Sequence, residues 1–174
     1  MTFRLWPSIC ILASFTNSAA AQDIGSWTLG QSADTDGDVV HIASLYASNL
    51  ITSGNWGPDY APLYAIACRA GDPKSWSQRL QFEDALAGGG EIELDAKIDQ
   101  KAAREEIWII GPKNRVLTRK NTPDIAELTS AKSLTLRWNW GWSWFWLSDK
   151  ARFELGEVKA VVFTLAKNCG IPEP

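Results

Sequence analysis

A serine or cysteine nucleophile needs a base, and this chain offers a single histidine, His41, to act as one. Gly141-Trp142-Ser143-Trp144-Phe145 begins like the strained Gly-x-Ser-x-Gly turn that presents a catalytic serine, but the second glycine is missing. His41 falls in a strand-like stretch, where a solvated or hydrogen-bonded imidazole is the ordinary reading. Carboxylates are more plentiful. Glu105-Glu106 and the set Glu91, Glu93 and Asp95 supply acids of the kind that cleave glycosidic bonds. The second set alternates as a solvated strand face should, and spacing alone does not set two acids across a sugar. Asp34, Asp36, Gly37 and Asp38 suggest a calcium loop, yet the spacing is not that of an EF-hand, whose glycine is sixth. A polar hairpin turn accounts for them. Gly88-Gly89-Gly90 fits neither a Walker loop nor a dinucleotide fingerprint. No catalytic residue, metal or cofactor is therefore expected, and the chain reads as a non-enzyme.

Two features remain. The first is the pair Cys68 and Cys169, left over once Cys10 is assigned to the N-terminal segment described below. In an oxidising compartment two cysteines most simply form one structural disulfide; a redox pair would more often be Cys-x-x-Cys. The second is Arg137-Trp138-Asn139-Trp140-Gly141-Trp142-Ser143-Trp144-Phe145-Trp146-Leu147, with five tryptophans at alternate positions. In an extended strand all five share one face. Each large aromatic buries roughly 150–250 Å², so five demand either an aromatic core or a partner. Trp138 continues the face of Leu134 and Leu136 and is expected inside. Gly141 permits a bend, so Trp140, Trp142, Trp144 and Trp146 are expected to project as an apolar patch of the kind that marks interaction sites. Indole pairs an apolar body with one N–H donor, which suits a protein hot spot, a lipid headgroup region or a sugar face.

Residues 1–21 read as a cleavable export signal. Arg4 precedes a short apolar stretch, and Ser18, Ala20 and Ala21 are small residues of the type that precede a cleavage point. The stretch falls short of the ~20 apolar residues of a membrane helix. Of 174 residues, removal of 21 leaves 153, one domain over residues 22–174 with room for a core. Without Arg4 the balance is 16 basic to 20 acidic residues, and no basic run remains, so nucleic acid is not an expected partner. A periplasmic or secreted protein follows.

The elements that would position these residues are mostly strands. Trp27 to Leu29 and Val39 to Tyr46 make a hairpin around the Asp-rich turn, residues 49–62 a loop, and residues 63–68 a strand with Tyr64, Ile66 and Cys68 on its buried face. Residues 75–86 suit a strand or a short helix, anchored by Trp76, Leu80 and Phe82. Ile92, Leu94, Ala96 and Ile98 alternate with charged residues in the clearest strand of the chain. Residues 107–110 and 115–119 are further β pieces. Thr122-Pro123 opens one or two helical turns over residues 124–129. Val158, Val161, Val162, Leu165 and Cys169 share one face of a final helix, stopped by Gly170. The fold class is mainly β, a β-sandwich or barrel-like antiparallel sheet, with a C-terminal α-helix tied on by one disulfide.

Trp27 and Ser32 in the first strand, the Asp-rich turn before Val39, Pro62-Leu63 ahead of Cys68, and Leu134-Thr135-Leu136-Arg137 carry a family likeness. So does Ala151-Arg152-Phe153-Glu154-Leu155-Gly156, followed by a helix into Cys169-Gly170. Together they make the chain resemble the VasI-like family of small exported bacterial proteins, some associated with type VI secretion. The resemblance implies a compact, mostly β accessory protein of the envelope with one disulfide and no catalytic residues. The expected function is non-catalytic binding of an envelope protein partner, associated with secretion as in some members of that family. Attachment to a membrane surface or glycan through the tryptophans is the alternative, and a glycan hydrolase the remote one.

Overall fold

A computed structural model describes residues 22–34, 36–52, 58–86, 89–120, 124–140 and 147–174; the segment read as an export signal lies outside them. The strands are β1 (Gln22–Ile24), β2 (Trp27–Ala33), β3 (Val39–Tyr46), β4 (Leu63–Arg69), β5 (Ser77–Gln81), β6 (Glu91–Ile98), β7 (Arg104–Ile110), β8 (Val116–Lys120), β9 (Ser133–Trp140) and β10 (Leu147–Glu154). The described residues also form two α-helices, α1 (Asp124–Leu128) and α2 (Val158–Cys169), and a short 3-10 turn at Pro112–Asn114. The strands form one antiparallel sheet in the order β1-β2-β3-β4-β5-β8-β7-β6-β9-β10.

That sheet closes on itself. Tyr64 in β4 and Phe153 in β10 have ring centroids 5.2 Å apart, although their strands stand six places apart in the sheet. A flat sheet would separate them by roughly 29 Å at ~4.8 Å per strand. Curling brings apolar residues from β2 to β10 into one core with Ile125 and Leu128 of α1 and the inner face of α2. Trp27 fastens the seam, its Nε1–H donating to the Leu155 carbonyl at 2.8 Å.

The loop after β3 fastens it again. Asn49 Nδ2–H donates to the Lys150 carbonyl at 2.9 Å, and its Oδ1 accepts from Arg152 N–H at 2.7 Å. Ser48 N–H donates to the Arg152 carbonyl at 2.7 Å. The side-chain amide thus offers β10 a donor and an acceptor as a neighbouring peptide would.

Local expectations from sequence are met where alternation is clean. In β6, Leu94, Ala96 and Ile98 are buried and Glu91, Glu93, Asp95 and Lys97 exposed. Within residues 75–86 the strand reading holds for β5, Ser77–Gln81, because β4 and β8 hydrogen-bond it on both sides. The Asp-rich segment is a hairpin turn: Asp34 Oδ1 accepts from the N–H groups of Asp36 and Asp38, and Arg69 bridges Asp34 and Asp38. The final helix ends at Gly170, in the left-handed region at φ 64°, whose N–H closes back onto the last turn. Its face Val158, Val161, Val162, Leu165 and Cys169 is buried against β3 and β4. There Cys169 joins Cys68, with Cα atoms 6.3 Å apart. Among the described residues no helix is long and apolar enough to cross a membrane.

Candidate functional site

Two places in this fold concentrate chemistry: a knot of charge inside one end of the curled sheet, and an open groove on its outer face. The knot is built on β7. Alternation sends Glu106 and Trp108 inward and turns Ile107 and Ile109 outward, the reverse of what their polarity suggests. Glu106 is 5% exposed. A buried carboxylate needs partners for both oxygens. Oε1 accepts from Arg104 Nε–H at 2.8 Å and meets Arg119 Nη1 at 3.1 Å, while Oε2 accepts from the Trp108 indole N–H at 3.1 Å.

α1 supplies the rest. Asp124 pairs with Arg119 and Arg104, and Glu127 accepts from Arg104 Nη1–H at 2.7 Å and Lys101 Nζ–H at 2.6 Å. Three acids meet three bases. The hydrogen bonds from Lys101 and Arg104 hold the Glu127 carboxyl below its ordinary value. Tyr64 lies beneath, donating its O–H to Gln78 Oε1 at 2.7 Å. Burial, and after it the negative charge of Glu106, push that phenol well above its usual range, so it stays protonated. Every charge in the knot is answered by another. Its chemistry is that of a clasp holding α1 over the core.

The groove is shallow and open, of about 370 Å³, and is lined by Glu91, Ile92, Glu93, Ile107 and Asn139. Ile107 is 59% exposed and Ile109 beside it 48%. It lies where β9 ends, at the level from which the connection to β10 departs. Trp138 is buried as expected, and Phe82 packs edge-on against it with centroids 5.1 Å apart. Of the expected patch, Trp140 is the last residue of β9 and pairs with Leu147, but its side chain lies outside the described structure. Trp142, Trp144 and Trp146 lie outside the described residues altogether.

The remaining candidates are scattered. His41 sits in β3 opposite Cys68. Glu91, Glu93 and Asp95 line the outer face of β6, and Glu105 points outward while Glu106 points inward. The described residues contain no group of three or more His, Cys, Asp or Glu side chains able to hold a metal ion. Sequence reasoning missed the knot. Its one signal was Glu106 two residues from Arg104 and from Trp108, an acid in step with an aromatic on an alternating strand. No protein-family model matches the chain, and no curated protein or solved structure is significantly similar to it.

Proposed function

We propose that this protein is a non-catalytic accessory or adaptor of the bacterial envelope, exported and then disulfide-locked, that holds a protein partner through the segment from Trp140 to Trp146. The observation that carries the reading is the setting of that segment. It joins the paired ends of β9 and β10, Trp140 and Leu147, and the groove lined by the outward Ile107 reaches Asn139 at that end of β9. Tryptophan is among the residues enriched at interface centres, and this short segment carries four of them. The Cys68–Cys169 bond supports an oxidising compartment. The likeness to the VasI-like family supports an envelope accessory role, secretion-associated in some members.

Replacing Trp142, Trp144 and Trp146 with Ser tests it. The fold, followed by far-ultraviolet circular dichroism, is expected to survive, while capture of the envelope partner is lost. Unchanged capture removes the site assignment. Acrylamide quenching adds a direct reading: the wild type should carry a large quenchable tryptophan component that the triple variant lacks. Protected, blue-shifted emission and an unfolded variant would make the run part of the core. Flotation with liposomes or retention on peptidoglycan would transfer the same residues to a lipid or glycan ligand.

A further inference from the structure

The outer face of the second half of the sheet carries one row of charge that the register aligns across four strands. Asp95 in β6 pairs with Glu105 in β7 on one side and with Arg137 in β9 on the other, and Arg137 pairs with Lys150 in β10. All four side chains are exposed. Read across the strands the row is Glu105, Asp95, Arg137, Lys150: two negative charges, then two positive, over roughly 14 Å at ~4.8 Å per strand. Among the described residues none of the four takes part in an ion pair of the kind found elsewhere in the fold.

For a single molecule this order is unfavourable. Like charges directly opposite on adjacent strands destabilise a sheet, and the row contains two such pairs, Glu105 with Asp95 and Arg137 with Lys150. Alternating signs would have removed both. One opposite pair, Asp95 with Arg137, offsets them only in part, and the remaining imbalance points to a partner outside the molecule.

We propose that a second copy of this chain is that partner, docked face to face about a two-fold axis lying parallel to the strands and between β6 and β9. The operation reverses the row. Glu105 then stands over the partner's Lys150 and Asp95 over the partner's Arg137, and symmetry repeats both, giving four complementary pairs from one row. Closed two-fold contacts have this self-complementary form. The flanking positions raise no conflict: continuing the register, Glu93 meets the partner's Asn139 and Lys97 meets the partner's Thr135. Two sheets packed face to face align within about 30°, which a modest tilt of the axis supplies. The charges set register and partner choice, the usual work of charge at an interface. The charged row does not include the tryptophan segment, but the dimer face takes in Glu93 and Asn139 of the groove, so a copy docked here competes with a partner bound there.

Sedimentation velocity of the disulfide-intact chain tests it. The wild type should sediment as a dimer at low ionic strength and shift toward monomer as salt screens the pairs. The half-reversed chains Glu105→Lys/Asp95→Lys and Arg137→Glu/Lys150→Glu should each be monomeric alone and form a one-to-one dimer when mixed. The chain with all four substitutions should dimerise by itself, because its row is again self-complementary. Circular dichroism confirms that each variant folds; should one fail, the wild-type salt series and Arg137→Glu alone carry the same test. A wild type that stays monomeric at every concentration overturns the proposal. So does a dimer indifferent to the half-reversals, or a mixture that stays monomeric.

Discussion

The two helices dock on the same core by opposite means. α2 has 12 residues, a continuous apolar face and a covalent bond to β4. α1 has five residues, too few to persist as a helix by themselves. It buries only Ile125 and Leu128, and its Asp124 and Glu127 grip Arg104, Arg119 and Lys101. A covalent tie withstands acid and fails under reduction. An ionic tie withstands reduction and fails in acid. One perturbation should therefore loosen one helix and spare the other.

Removing the disulfide should have the largest effect. The bond joins residues 101 apart, and in the chain-entropy account closing such a loop is worth about 4–5 kcal/mol. Cys68→Ser/Cys169→Ser should lower the urea midpoint accordingly, with α2 amides losing hydrogen-exchange protection before those of α1. Equal loss in both helices would dissolve the contrast. Glu106→Ala strikes the other tie. It leaves Arg119 and Arg104 with only Asp124 and Glu127 to answer them, and the buried Trp108 N–H with no acceptor, at a cost of about 3 kcal/mol. That is the low end for a buried pair, because the Arg104 side chain is 38% exposed and can turn to solvent. Here α1 should lose protection first, and Glu106→Gln, which keeps an acceptor for the Trp108 N–H, should cost less.

Asn49→Ala sharpens the comparison by touching neither helix. Two exposed hydrogen bonds to β10 go, for about 1 kcal/mol in all. Exchange should rise at Arg152 alone among the backbone groups followed, and a change in α1 or α2 would mean that the seam and the helices are coupled. The smallest effect is acid on Glu127. Its carboxyl is held below the ordinary value of 4.5, so the unfolded chain binds the proton more readily. Its contribution is complete above pH 4.5 and is lost as pH falls through the lower folded value. The urea midpoint should drop over that window in the wild type. In Glu127→Gln that part of the drop should vanish, while the drop from other carboxylates, such as the Asp99 carboxyl held down by the Ser133 and Lys132 N–H groups, stays.

What sequence could reveal follows the reach of each interaction. β6 is legible because one face is solvated and the other packed, so polarity and geometry agree residue by residue. α2 is legible for the same reason at helical spacing, and its cysteine names its partner by elimination. β7 is not, because Ile107 and Ile109 face solvent while Glu106 turns inward, and only Arg119 and α1 make that tolerable. Those partners lie up to 23 residues further along the chain, in segments no periodicity links to β7. The charged row exists only once the pairing registers are known. The Asn49 clasp spans about a hundred residues and leaves no local mark.

That clasp has a bearing on how copies of this protein can pile up. An uncovered outermost strand invites another chain to extend the ladder, and repetition of that step grows a fibre. At one margin of this sheet the amide of Asn49 and the backbone of Ser48 occupy the groups of Lys150 and Arg152 that a newcomer would need. At the other, β1 has three residues, too short a template to nucleate on. Growth by strand addition is thereby discouraged at both margins, and any contact between copies is steered to the faces, where it can stop at two.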